Sequence, residues 1–334
     1  MEFVKSPEFF KNEKNDEIQF PYFYGTNFSI FSFATEGKAV WIAVDLEGNS
    51  LAFRRWQNKF ISIVQPLYPP LSPEGRRLSN SLESNFTEGF IEELGKQNFS
   101  HRICQAENFA IFSSAPNKAK YAPFGTYYLD LEAADESELF SKLHPKHRNV
   151  IRNAEKSGVQ LLYGPEVLGD FYELYQATTR RSGMFCWKFD YFEKLISALG
   201  DNILCGAAYF EGKACGALVM PFTKFAAFYL YGATPDEREV NGAMNFLHWK
   251  TIEMMKRNGV ARYDFVGARL GNLEGTPYQG IQMFKMRFGA SLESGVLWKL
   301  DLKPKICSLF DNMAKVKLKL KGMHPPKDII DQLS

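Results

Sequence analysis

FAAFYLYGATPDEREVNGAMNFLHWKTIEMMKRNGVARYDFVGARLGNLEGTPYQGIQMFKMRFG, residues Phe225–Gly289, alternates short apolar runs with a long helix-spaced one. Phe225 to Ala233 has the length and aromatic content of a strand. Thr234 to Asn241 is a polar turn. Gly242 to Asn258 then places Met244, Leu247, His248, Ile252 and Met255 near one helical face, and Gly259 follows as the stop residue at C′. Ala261 to Val266 reads as a second strand. A Gly-rich loop and a short helix, Ile281 to Phe288, complete the unit. Strand, helix, strand, helix is an α/β arrangement, and sheets of this kind hold ligands at the loops beyond their strand ends.

Working outward, Asn202–Phe210 and Lys213–Phe222 read as antiparallel strands joined by tight turns, and Gly295–Leu302 as a closing strand. Helices are expected at Asp135–Ser157 (interrupted near Pro145), Leu168–Gly183 and Tyr191–Leu199. In the first half, residues 6 to 14 read as a short helix starting at Ser6 and Pro7. Phe28–Phe33, Ala39–Asp45 and Lys59–Gln65 read as strands, Arg76–Gln97 as a helix, and Asn108–Ser113 and Thr126–Leu131 as strands. Both halves thus share a plan of hairpin strands, a helix and further strands. The tail holds KVKLKLK at Lys315–Lys321, whose strict alternation predicts a half-buried strand with lysines outward.

The composition is globular, with 45% apolar, 15% aromatic and 23% charged residues and a net charge of +2 over 334 residues. A nearly neutral chain is not a dedicated nucleic-acid binder. Five scattered cysteines without a CxxC pair fit a reducing cytoplasm. The polar N-terminus is not a signal peptide, and the expectation is a soluble cytoplasmic protein. HExxH, a phosphate-loop lysine and a GxGxxG after a strand are all missing from the sequence, and no metal site is expected.

YGAT at 231–234, the helix with Trp249, YDFVG at 263–267 and FKMRFG at Phe284–Gly289 resemble the Fem (FemABX-like) family, as do LDL at 129–131 and LHPKHRNVIRNAEKSGV at 143–159. These aminoacyltransferases extend peptidoglycan stem peptides. The resemblance covers roughly residues 120 to 300. It implies an α/β fold of the α+β type: two tandem GNAT-like units, with mainly antiparallel mixed sheets flanked by helices. Residues 1–140, joined by the tail 303–334, form the first unit, and 141–302 the second, catalytic one. The chain would act as a monomer. Aminoacyl-tRNA would be the donor and a peptidoglycan precursor the acceptor, with no cofactor. Peripheral contact with a membrane would come through a lipid-linked substrate; the lysine-rich tail could also favour a membrane surface, but an outward-facing edge strand explains it more simply.

The same resemblance carries Lys285 onto the family's catalytic lysine. An ammonium fixed beside a carbonyl that gains negative charge stabilises the transition state more than the ground state. Phe284 is either a wall of that site or core. Tyr231, and with it Tyr229 on the same side of the expected strand, would meet the acceptor or pack the sheet. Thr178 and Arg181, at i and i+3 on a helix, would bind a precursor phosphate. Arg148 and Arg152 belong to a basic patch that meets phosphates or is a solvated face. Asp264 either orients Lys285 or the attacking amine, or forms a turn. A rival reading takes REVNGA, Arg238–Ala243, as a degraded pyrophosphate loop for acetyl-CoA, with Asn241 in place of a glycine. A third reading is a non-catalytic binding module.

Overall fold

A computed structural model of the protein describes residues 1–11, 19–237, 239–320 and 328–333. The N-terminus forms strand β1 (Glu2–Lys5) and one helical turn, α1 (Ser6–Phe9), capped by Lys5 rather than Ser6. Residues 12–14 of the helix expected there lie outside the described residues. Phe28–Phe33, expected as a strand, is instead part of helix α2 (Thr26–Glu36). Phe28, Phe31 and Ser32 are buried, and Ile30 and Phe33 face solvent. That spacing of three and four is helical, and the run FSIFSF satisfies a period of two about as well. Gly37 caps this helix at φ +65°.

Strands β2 (Ala39–Val44), β3 (Ser50–Gln57) and β4 (Ser62–Pro66) form a meander. Sequence reading missed β3, because most of its residues are buried on both faces and do not alternate. Helix α3 (Asn80–Lys96) and the short β5 (Arg102–Ile103) follow. The segment 108–113, expected as a strand, is a buried loop with a single bridge from Phe112 to Val296. Then come β6 (Lys120–Asp130), α4 (Glu136–Lys142), α5 (Pro145–Lys156), β7 (Gln160–Tyr163), α6 (Leu168–Ser182) and α7 (Phe189–Leu199).

The hairpin β8 (Ile203–Phe210) and β9 (Lys213–Pro221) turns at Glu211 and Gly212, both at positive φ. The run Phe225–Ala233 is broken into β10 (Ala227–Phe228) and β11 (Tyr231–Ala233). Helix α8 (Ala243–Arg257) ends at Gly259, φ +71°, as expected. Next are β12 (Arg262–Asp264), β13 (Ala268–Arg269), α9 (Pro277–Met286) and β14 (Ser291–Asp301). The tail corrects another expectation. KVKLKLK is not a strand; up to Leu320 it is the end of helix α10 (Pro304–Leu320), and Lys321 lies outside the described residues. Lys and Leu are good helix formers, and a seven-residue alternation gives way to the 17-residue helix that contains it. Helix α11 (Ile329–Leu333) packs on β6 and β14.

The fold is therefore mixed α/β with two sheets. The larger is ordered β1-β2-β3-β4-β5-β14-β6-β12-β10, with β13 added beside β6. The smaller is ordered β11-β9-β8-β7 and is antiparallel. Among the described residues no helix is long and apolar enough to cross a membrane.

Helix α5 crosses the start of α8 closely. Gly242, at φ +89°, caps α8, and a Cβ there would lie 2.4 Å from the Val150 carbonyl oxygen of α5. Gly242→Ala is expected to destabilise the fold by more than about 1 kcal/mol, through left-handed backbone strain and this clash. A urea titration checks this: the midpoint falls at unchanged slope.

Candidate functional site

The site originates where two parallel strands separate. Strands β10 and β12 pair at Ala227–Tyr263 and Phe228–Asp264, and the Tyr229 N–H donates to the Asp264 carbonyl at 2.9 Å. Beyond this point β11 swings away to pair with β9, and the other chain turns at Val266, whose φ is +56°. A β-branched residue in that region is strained. It is held there by Asp264, whose Oδ1 accepts from the Val266 N–H at 2.8 Å and from Thr126 Oγ1 at 2.5 Å.

Asp264 is fully buried. Its Oδ2 accepts from Arg262 Nε (3.0 Å) and Nη2 (2.8 Å). Arg262, stacked on Tyr128, pairs onward with Glu293 at 2.7 Å, Glu293 with Arg77 at 2.8 Å, and Arg77 with Glu83 at 3.1 Å. Burial pushes Glu293 up, but Arg262 and Arg77 outweigh it and hold its carboxyl below the ordinary value. With both oxygens doubly engaged, Asp264 acts as a turn and anchor residue, and its contact with Lys285 is electrostatic.

Lys285, on α9, is buried, and its Nζ donates to the carbonyls of Val266 and of Gly267 (2.6 Å for the latter). Burial pulls its pKa from 10.5 to about 8, against the opposing pull of Asp264. An ammonium has three N–H donors, so one is left over. Phe284, one residue before, packs half-buried among His147, His248 and Phe288, against the core shared by α5, α8 and β12. Burial lowers His147 to about 4 and His248 to about 3, so both are neutral imidazoles near pH 7.

Val266 and Tyr231 line a pocket of about 210 Å³ between the separating chains and the N-terminal elements. Its other walls include Tyr22, Tyr191, Arg54 and Glu107. The Tyr191 and Tyr231 hydroxyls meet at 3.2 Å. Burial pushes Tyr191 up to about 12, and Tyr231 is also raised, so both remain protonated. Arg54 is buried, with Nη1 on Glu36 at 2.9 Å, Nη2 on Glu107, and Nε without a partner among the described residues. Glu107 and Tyr191 carried no signal, because their role depends on neighbours distant in sequence.

The expectation that Tyr229 and Tyr231 share a face is corrected. The strand breaks between them; Tyr231 packs toward Tyr175, Tyr191 and Phe192, and Tyr229 toward His248. Thr178 and Arg181 do stand together, but on the chain's own turn. Thr178 Oγ1 donates to the Thr234 carbonyl at 3.0 Å, and Arg181 binds Asp236 at 2.6 Å and Thr234 Oγ1 at 2.9 Å. Arg148 Nη1 caps α4 through the carbonyls of Ser141 (2.6 Å) and Leu143 (2.7 Å). Arg152 lies over the Phe140 ring. Of the pyrophosphate-loop candidate, Arg238 lies outside the described residues, and Gly242 abuts Val150 as above.

Residues 141–279 match the acetyltransferase (GNAT) domain family. Among solved structures, FemX superposes with a TM-score of 0.67 at 16% identity, covering 92% of this chain and 99% of its own. The C-terminal domain of a putative lysylphosphatidylglycerol synthetase from Agrobacterium fabrum superposes with a TM-score of 0.52 at 13% identity, covering 83% and 88%. No curated protein sequence matches significantly. The chain shares its fold with FemX, and residues 141–279 carry a GNAT acetyltransferase domain, a match that supports an acyltransferase.

The depressed pKa of Lys285 has a measurable consequence. Between pH 8 and 10.5 the unfolded chain holds a proton that the folded one has lost, so this residue makes stability rise with pH across that window. Lys285→Met is expected to lack this component, worth roughly 3 kcal/mol over the window. Urea midpoints of both proteins at the two ends of the window measure it. An equal difference at both ends would place the ammonium in solvent.

Proposed function

We propose that the protein transfers an amino acid from aminoacyl-tRNA to an amine of a peptidoglycan stem-peptide precursor. The observation that carries this reading is the buried Lys285 ammonium, set behind the separating strands of a FemX-like fold with one N–H uncommitted. The acceptor amine attacks the ester carbonyl carbon, and the oxygen takes up the negative charge. Lys285 donates to that oxygen. Collapse expels the ribose hydroxyl of the RNA, which takes the proton the amine gives up. The ester is already activated, so the step uses no nucleophilic side chain and no cofactor.

In this reading residues 141–302 carry the chemistry, and residues 1–140 with the tail 303–334 supply the facing wall. Tyr231, Tyr191 and the Arg54–Glu107 pair would position the acceptor. A phosphate reaching Arg181 competes with Asp236, so precursor binding would free that turn. The reaction would take place in the cytoplasm, with the protein as a monomer. Exposed Arg152 and Lys146 remain open to RNA phosphates, whereas Arg148 is engaged in capping.

The GNAT-domain match favours a second reading, N-acylation from acetyl-CoA. Against it, the Val150 carbonyl oxygen, an acceptor, stands at the α8 start where a pyrophosphate would need donors.

A transfer assay separates the two. Purified protein is offered bulk charged tRNA or, separately, acetyl-CoA, with a nucleotide-linked stem-peptide precursor as acceptor, and product mass is read. Gain of one amino-acid residue from the RNA donor is expected, and an acetyl gain would overturn the reading. Lys285→Met should lower turnover about 10²–10³-fold with its circular dichroism unchanged. A loss under about tenfold would remove Lys285 from the chemistry.

A further inference from the structure

Helix α10 is held to the body along one side and presents a second, apolar side to solvent. On the held side Cys307 is buried, Phe310 meets the Trp56 ring at 6.3 Å, and Asp311 binds Arg102 through two contacts of 2.7 Å. Ala314 and Leu318 continue that face, half-buried. On the other side Ile306, Leu309, Met313, Val316 and Leu320 are 38%, 63%, 57%, 60% and 84% exposed. Their spacing of 3, 4, 3 and 4 makes one continuous stripe along the helix.

The charges of the helix are nearly all positive. It carries Lys305, Lys315, Lys317 and Lys319 against a single acid, Asp311, which is already bound to Arg102. At 100° per residue, Lys317 falls at one edge of the stripe, Lys305 and Lys319 fall beyond the other, and Lys315 turns away from it toward Asp311. All four are exposed. An apolar stripe edged by lysines matches an interface with hydrocarbon below and anionic groups beside it, where long lysine side chains reach back to the charged layer. A second copy of the helix suits the stripe less well, since it would bring two sets of lysines together without acids to pair with them.

We infer that α10 docks the protein on an anionic lipid surface, its apolar stripe sunk at the level of the headgroups and its lysines on the lipid charges. The helix is preformed and anchored to the body, so docking does not have to order it. At 17 residues it is about 25 Å long and lies in the surface rather than crossing it. The inference rests on α10 alone and stands whether or not the proposed transfer reaction is correct.

Vesicle co-sedimentation of the full chain tests it. With vesicles of equal parts phosphatidylglycerol and phosphatidylcholine at low salt, the protein is expected to pellet, and with pure phosphatidylcholine to stay in solution. Raising the salt to about 1 M, where the Debye length falls to about 3 Å, should release it. Joint replacement of Lys305, Lys317 and Lys319 by Ser should weaken binding on the order of 100-fold, at about fivefold per lysine. Met313→Glu with Val316→Glu should abolish it. These side chains are exposed, so circular dichroism and the urea midpoint should match wild type. Absence of pelleting with anionic vesicles would overturn the proposal, as would pelleting that both variant sets leave unchanged. A dimer seen by light scattering and dissolved by Met313→Glu would assign the stripe to a second copy and also overturn it.

Discussion

The carboxylate of Asp264 fixes the geometry on which the rest of the site depends. It is fully buried, and its two oxygens bind Arg262, Thr126 and the Val266 N–H. A buried charge of this kind is tolerable only with its hydrogen bonds complete, and removing a partner from such a pair typically costs about 3–5 kcal/mol. Completing them has a structural result. The turn after β12 is forced into left-handed geometry at Val266, and the two carbonyls beyond it converge on Lys285. The ammonium is thus placed by a carboxylate it does not touch.

The same group couples two hollows. Val266 lines the pocket of about 210 Å³ beside Tyr231, and Arg262 floors a second hollow of about 890 Å³ rimmed by Arg76 and Lys224. Both wall residues hang on Asp264. From Arg262 the alternating charges continue through Glu293 and Arg77 to Glu83 on α3, so strand β14, the loop between β4 and α3, and helix α3 share one largely buried network. Alternating signs let each charge answer its neighbour's desolvation, which no isolated member could do.

Much of the fold was legible because its periods are clean. Helices α6, α7 and α8, the hairpin β8–β9 and the stop at Gly259 follow from apolar spacing and turn residues. Two elements were misread for the same reason, an apolar pattern compatible with both periods. FSIFSF carries too many apolar residues to choose between two and 3.6, and the lysine alternation near Lys315 is real but shorter than the helix that contains it. In each case burial by other elements made the choice: α2 packs beside α7, and α10 is tied to Arg102 and Trp56.

The site divides in the same way. By itself the sequence determined the residue types and their local order: a lysine on a short helix after a Gly-rich loop, a carboxylate at a strand end, a tyrosine in an aromatic run, an arginine one helical turn from a threonine. Only the tertiary structure decided that the aromatic run breaks between Tyr229 and Tyr231 and sends them into different cores, because β10 and β11 belong to different sheets. It also decided that Arg181 is bound by Asp236, and that Arg54 and Glu107, 53 positions apart, meet in one pocket. Spacing within a segment is written in covalent order; which charges share a low-dielectric space is set by the packing of segments far apart in the chain.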